Sequence, residues 1–167
     1  MNSIFERRSI RHYQKKEIPD EALNTILRAG MYAPSAGNEQ PWEFIVIRSR
    51  ETLEAICDAH PYAKALLSCD AAIAVCGNLS KQKYSVQYWV LDCAIAGQNI
   101  MLEAHELGIG SVWLGVYPCE YRTENIAHIL NVPEDVIPLS IIALGYPAET
   151  VEMPERCCED KVHWEKW

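Results

Sequence analysis

No stretch of the 167 residues approaches the roughly 18–20 unbroken apolar positions that a membrane-spanning helix needs. The opening Met-Asn-Ser-Ile-Phe-Glu-Arg-Arg has no apolar core of a signal peptide. These absences predict a soluble, cytoplasmic protein with no membrane partner. Positive charge is scarce: 15 Lys and Arg stand against 23 Asp and Glu, for a net charge of −8. Such a surface repels nucleic acid as a general partner. The seven cysteines form no Cys-x-x-Cys pair and no histidine stands at ligand spacing beside them. They read as small core hydrophobes of a reduced compartment, with no metal site. Gly-x-Ser-x-Gly is missing around Ser9, Ser35 and Ser111, and the five histidines are scattered. There is no phosphate-binding P-loop, and Gly108-Ile109-Gly110-Ser111-Val112-Trp113 lacks the spacing of a dinucleotide fingerprint. No repeat, linker or low-complexity tract divides the chain, so residues 1–167 read as one domain.

Against that acidic background, Arg7-Arg8-Ser9-Ile10-Arg11 concentrates three guanidinium groups and a hydroxyl in five residues, with Lys15 and Lys16 close behind. Guanidinium is a permanently charged planar fork that suits phosphate oxygens. The cluster is too short to track a polymer, so it points to a small anion. A second segment, Pro34-Ser35-Ala36-Gly37-Asn38-Glu39-Gln40-Pro41-Trp42, sets a defined loop that offers uncharged donors and acceptors. A third, Trp113-Leu114-Gly115, brings a glycine to a strand end, where a ligand ring can approach the backbone. Asp92, on a mostly apolar stretch, reads as a structural carboxylate in need of a partner. Anion binding, a polar loop and glycine-lined backbone are thus present, while no acid, base or nucleophile stands out. That pattern is expected where a bound cofactor carries the chemistry.

The element order is mixed. A capping-box spacing, Ser3 to Glu6, opens a short helix ending near Ser9. Helices follow after Pro19, over 51–59, over 84–107 and from Thr123 to Leu130, with strands at 42–47, 71–76, 112–116 and 139–144. Strands buried on both faces with helices between them predict an α+β sandwich, helices packed on a mixed sheet. The long helix is apolar nearly all round, from Val86 and Trp89 to Leu107, which predicts burial against a second copy in a two-fold homodimer. Gly97 would allow close approach of the partner there.

These segments, in this order, resemble the FMN-dependent nitroreductase family in its short form. Arg7 to Arg11 is similar to the family's opening phosphate motif, and Ala33-Pro34-Ser35 with Asn38-x-Gln40-Pro41-Trp42 to its second. Asp92 to Gly115 resembles its helix-then-strand segment, and Val162-His163-Trp164 to Trp167 its closing segment. The resemblance implies an α+β, three-layer sandwich with helices around a mixed, mainly antiparallel sheet, and FMN at the interface of an intertwined homodimer. Arg7, Arg8, Ser9 and Arg11 would hold the phosphate, ribityl chain and ring edge. Pro34, Ser35 and Asn38 would come from the other subunit. The backbone of Leu114 and Gly115 would lie near the reactive nitrogen, and Arg156 would close on the phosphate. It also implies ping-pong hydride transfer from NAD(P)H to a nitroaromatic, quinone or similar acceptor, with no catalytic side chain required. A non-catalytic FMN-binding or storage module is the alternative. Tyr117 leads directly to Arg122, leaving no room for the substrate-covering excursion of longer members.

Overall fold

In the computed structural model, which describes residues 2–167, four antiparallel strands form one sheet in the order β1-β2-β4-β3. They are β1 Trp42–Ile47, β2 Ala71–Asn78, β3 Gly110–Gly115 and β4 Val136–Gly145. Their neighbours pair antiparallel throughout. The parallel component expected of a mixed sheet is an isolated bridge, Ser9 to Ser111.

Strand alternation builds the layers. In β2, Ala72, Ala74 and Cys76 face one side, where they join Leu53, Ile56 and Ile126. Ala71, Ile73 and Val75 face the other, where they join Leu23, Ile26, Trp89, Ala96 and Ile100. The first group includes residues of α3 Arg50–Ala59 and α5 Glu120–Ile129. The second includes residues of α2 Asp20–Met31 and α4 Tyr88–Glu106. Both sheet faces are therefore covered, and the α+β sandwich is as expected. Each fully buried Ile or Leu contributes about 1.5–3 kcal/mol.

Local signals shift several boundaries. In α1, Ser3–Glu6, Ser3 is the first helical residue and Asn2 holds the capping position with no side-chain bond. The expected capping box therefore does not form; Ser3 Oγ instead donates to Glu106 on α4. The helix ends at Glu6, before the arginines. α5 begins at Glu120, so Thr123 sits inside it and its hydroxyl bonds back to Cys119 O at 3.1 Å. α3 does start on a true cap, with Ser49 Oγ accepting from Thr52 N.

α4 spans 19 residues, about 28 Å, and starts four residues later than expected. Lys83 explains the delay. Its main-chain N–H donates to Glu39 and its Nζ to Gly37 O at 2.9 Å, which holds the preceding segment on a non-helical path. The helix is buried by its own chain along Trp89, Cys93, Ala96 and Ile100, while Leu91 and Ile95 are exposed. Gly97 does not serve the approach of a second backbone. A Cβ there would lie 2.4 Å from Trp113 Cζ3, so the missing side chain makes room for a tryptophan of β3. Gly97→Val should therefore destabilise the protein by ~1–3 kcal/mol through overpacking. Gly97→Ala should cost less, because alanine gains up to ~1 kcal/mol in helix propensity. Urea unfolding midpoints of the two variants check the order.

Candidate functional site

The arginine segment is fixed to the open edge of β3. Ile10 N donates to Ser111 O at 2.9 Å, beside the Ser9–Ser111 bridge. Because Ser111 O points outward, alternation turns the peptide groups of Ser111, Trp113 and Gly115 to that edge. Those of Leu114 face β4, opposite Ile141. The edge therefore runs from the arginines to Gly115, four residues or about 13 Å along.

Three guanidinium groups meet at its first end. Arg7, Arg8 and Arg156 line a cavity of about 720 Å³ with Phe5 and Met153. Arg7 and Arg8 also line a smaller one of about 250 Å³ with Ser111, Gly110 and Thr150. Among the described residues none of these arginines is in an ion pair. Arg8 donates to Phe5 O and Arg7 O, both at 2.7 Å. Burial lowers the pKa of Arg7, and the like charges of Arg156 and Arg8 lower it further.

The neighbouring carboxylates are engaged elsewhere. Glu155 accepts from the main-chain N–H groups of Arg156 and Cys157. Glu149 accepts from those of Arg11 and His12 at 2.6 and 3.1 Å. Ser111 is 1% exposed and its hydroxyl has no partner among the described residues. An anion with further hydroxyls fits this set: it would balance the cations and give Ser111 Oγ a bond.

Of the expected site residues, the fold brings together Arg7, Arg8, Ser9 and Arg156, on the edge that ends at Gly115. Ser9 is on the edge through its bridge to Ser111 and Arg11 is adjacent, but neither lines either cavity. Pro34, Ser35 and Asn38 lie elsewhere. Their loop enters β1, at the opposite edge of the sheet and three strand spacings (~14 Å) from β3. It is held at Asp92, about 20 Å along α4 from Glu106 at the arginine end.

That loop is built with care. Gly37, Asn38 and Gln40 all have positive φ. Ser35 Oγ accepts from Gln40 N at 3.0 Å, and Ala36 N donates to Asp92 Oδ1 at 3.0 Å. Asp92 is 4% exposed with Oδ2 unpaired, and burial pushes its carboxyl pKa up. Its structural role is thus to hold the loop.

The spacing of motifs does not reveal His60 or Arg122. His60 is 2% exposed and its Nε2 bonds Gly115 O at 2.8 Å, while Nδ1 accepts from Tyr62 N at 3.2 Å. Nε2 therefore carries the hydrogen. Arg122 Nη1 donates to the same carbonyl at 3.2 Å.

Fold and site together define an α+β sandwich that gathers three guanidinium groups at one end of a sheet edge. A sequence profile of the nitroreductase family matches residues 4–67 and 58–146. A provisionally named NADH dehydrogenase/NAD(P)H nitroreductase of Methanothermobacter thermautotrophicus is 49% identical over 167 residues, covering all of this chain and 87% of that protein. An FMN-dependent nitroreductase from Clostridium difficile R20291 has a similar structure, with a TM-score of 0.92 at 31% identity over 99% of both chains. A provisionally named nitroreductase from Desulfovibrio desulfuricans, solved in complex with FMN, gives 0.84 at 29%, covering 99% of this chain and 95% of that one. The chain belongs to the nitroreductase family.

The Glu149 clamp makes a pH prediction. Hydrogen bonds from the N–H of Arg11, and then of His12, hold its carboxyl below the ordinary value of 4.5. A depressed folded pKa contributes stability above the unfolded value and loses it as pH falls through the folded one. Thermal midpoints of wild type and Glu149→Gln should differ at pH 7 and converge as pH drops below 4.5.

Proposed function

We propose that this chain is an NAD(P)H-dependent flavin oxidoreductase that holds FMN along the open edge of β3, in a site shared between two copies of the chain. The observation that carries this is the set of three guanidinium groups, without an ion pair among the described residues, at one end of an edge whose other end presents the Gly115 peptide. Arg7, Arg8 and Arg156 would balance the phosphate, Ser9 and Ser111 would meet the ribityl hydroxyls, and the Gly115 N–H would face the ring. Bound FMN supplies the hydride relay between a nicotinamide and an oxidised acceptor, such as a nitroaromatic or a quinone, that no side chain here provides. The names of the similar proteins, an NAD(P)H nitroreductase and an FMN-dependent nitroreductase, support the same reading.

The protein's contribution is binding, orientation and field. Cations at the edge offset phosphate charge, and a backbone donor at the ring favours an electron-rich form.

Two features support a shared site. Tyr88, Leu91 and Ile95, at helical spacing on α4, leave an apolar stripe uncovered, as do Ile4 and Phe5 on α1. From Val151 to Trp167 every residue is exposed, including Val162, Trp164 and Trp167. An arm of that composition fits a neighbouring copy better than water. A second copy would also bring its Pro34–Asn38 loop to the arginine wall that one chain leaves open.

Two outcomes are expected. Arg7→Ala and Arg156→Ala should each weaken FMN binding by about 1.5–3 kcal/mol, the range for a lost hydrogen bond to a charged group. Flavin fluorescence titration measures this, and unchanged affinity in both would contradict the phosphate assignment. Mixing Arg7→Ala protomers with Asn38→Ala protomers, after dissociation and reassembly, should restore one intact site in each mixed dimer. NAD(P)H oxidation with a quinone then rises above that of either variant alone. A mixture no better than its parents would place both walls on one chain.

A further inference from the structure

The Gly115 carbonyl is held in an unusual way for the end of an edge strand. It faces outward, where an edge carbonyl ordinarily meets water or a ligand. Here two side chains from separate elements occupy it. His60 follows α3 and is buried; Arg122 lies in the first turn of α5. Both donate to the one oxygen, at 2.8 and 3.2 Å. Each is itself fixed. His60 Nδ1 accepts from Tyr62 N, and the Arg122 guanidinium lies 5.4 Å from the centre of the Tyr62 ring. The following residues are locked as well, since Val116 N and Tyr117 N both donate to Leu139 O, at 3.0 and 3.1 Å.

Core packing alone does not ask for this arrangement. An imidazole with both nitrogens bonded and a guanidinium converge on one peptide oxygen, at the point where the proposed ring would lie. The electrostatic consequence is direct. An unpaired carbonyl at that position presents negative charge to a ring that becomes electron-rich on reduction. Two donors, one of them cationic, cancel that charge and leave the Gly115 N–H as the edge's outward group.

We infer that His60 and Arg122 are positioning residues that clamp the Gly115 carbonyl and cancel its charge towards the cofactor, so that the edge stabilises the reduced flavin over the oxidised one. This rests on the placement of FMN proposed above. The clamp binds neither phosphate nor substrate; it acts through the backbone of residue 115.

The test compares the midpoint potential of bound FMN and the binding constant of oxidised FMN in wild type, His60→Leu, His60→Gln and Arg122→Met. His60→Leu and Arg122→Met should lower the midpoint potential. This corresponds to a roughly three- to tenfold loss in the preference for reduced over oxidised FMN, the range for one hydrogen bond. Affinity for oxidised FMN should stay near wild type. His60→Gln keeps a donor and an acceptor and should recover most of the potential. If His60→Leu fails to fold, Arg122→Met decides alone, because the Arg122 side chain is only half-buried and methionine keeps its apolar stem. A wild-type potential in Arg122→Met, with FMN bound, overturns the clamp. Failure of the underlying placement looks different: wild type itself would not bind FMN, or its bound flavin would titrate like free FMN.

Discussion

The hydrogen bond from Ile10 N to Ser111 O organises everything that lies on this sheet edge. It docks a basic segment, otherwise free of regular structure, along the start of β3. Glycine makes the contact possible: a Cβ on residue 110 would lie 2.8 Å from that of Ile10. With Ile10 turned into the core at 8% exposure, Arg7 and Arg8 are left at the mouth of the cavities. The spacing between the cationic end and the Gly115 peptide is then set by strand geometry. A strand is a stiff ruler, so one docking bond fixes the distance between the arginines and the Gly115 peptide, which do not touch each other.

Electrostatic selection follows from how the acids are used. The protein carries net charge −8, yet the carboxylates that line the two cavities are committed to other groups. Glu149 and Glu155 accept from main-chain N–H groups, and Glu6 lies 3.9 Å from His105. Neutralisation of the arginines is thereby left to a ligand. Negative surroundings also discourage large polyanions from reaching the same cavity. A site so built would suit an anion small enough to enter and rich enough in acceptors for three guanidinium groups.

Much of the fold is legible in the sequence because burial on both sheet faces leaves unbroken apolar runs, as at Ala71–Cys76. The Arg7–Arg11 cluster and the Ser35–Asn38 loop are legible because local chemistry marks them. The Ser3–Glu6 spacing misleads because Asn2 occupies the capping position and Ser3 turns to Glu106, more than a hundred residues away. Gly97 misleads in another way: a small residue on an apolar helix permits close approach, but the sequence does not say by what. Here the answer is Trp113 of the same chain. His60 and Arg122 leave no local signal at all. Their shared acceptor lies 55 residues from one and seven from the other, and only the packing of α3 and α5 on one sheet face joins them.

Arg156 sits on the least anchored part of the molecule, since every residue from Val151 onward is exposed. Segments with few buried contacts open at far lower free energy than the global fold. Within a single chain, one of the three charges in the cavity is therefore mounted on a post that only a neighbouring copy would pin, while Arg7 and Arg8 are set in the wall. Swinging that post outward would drop the local potential and widen the mouth in a single motion, with the sheet undisturbed. Retention and exchange of the bound anion would then be paced by the arm's own lifetime in place, a kinetic property separable from how tightly the fixed arginines grip.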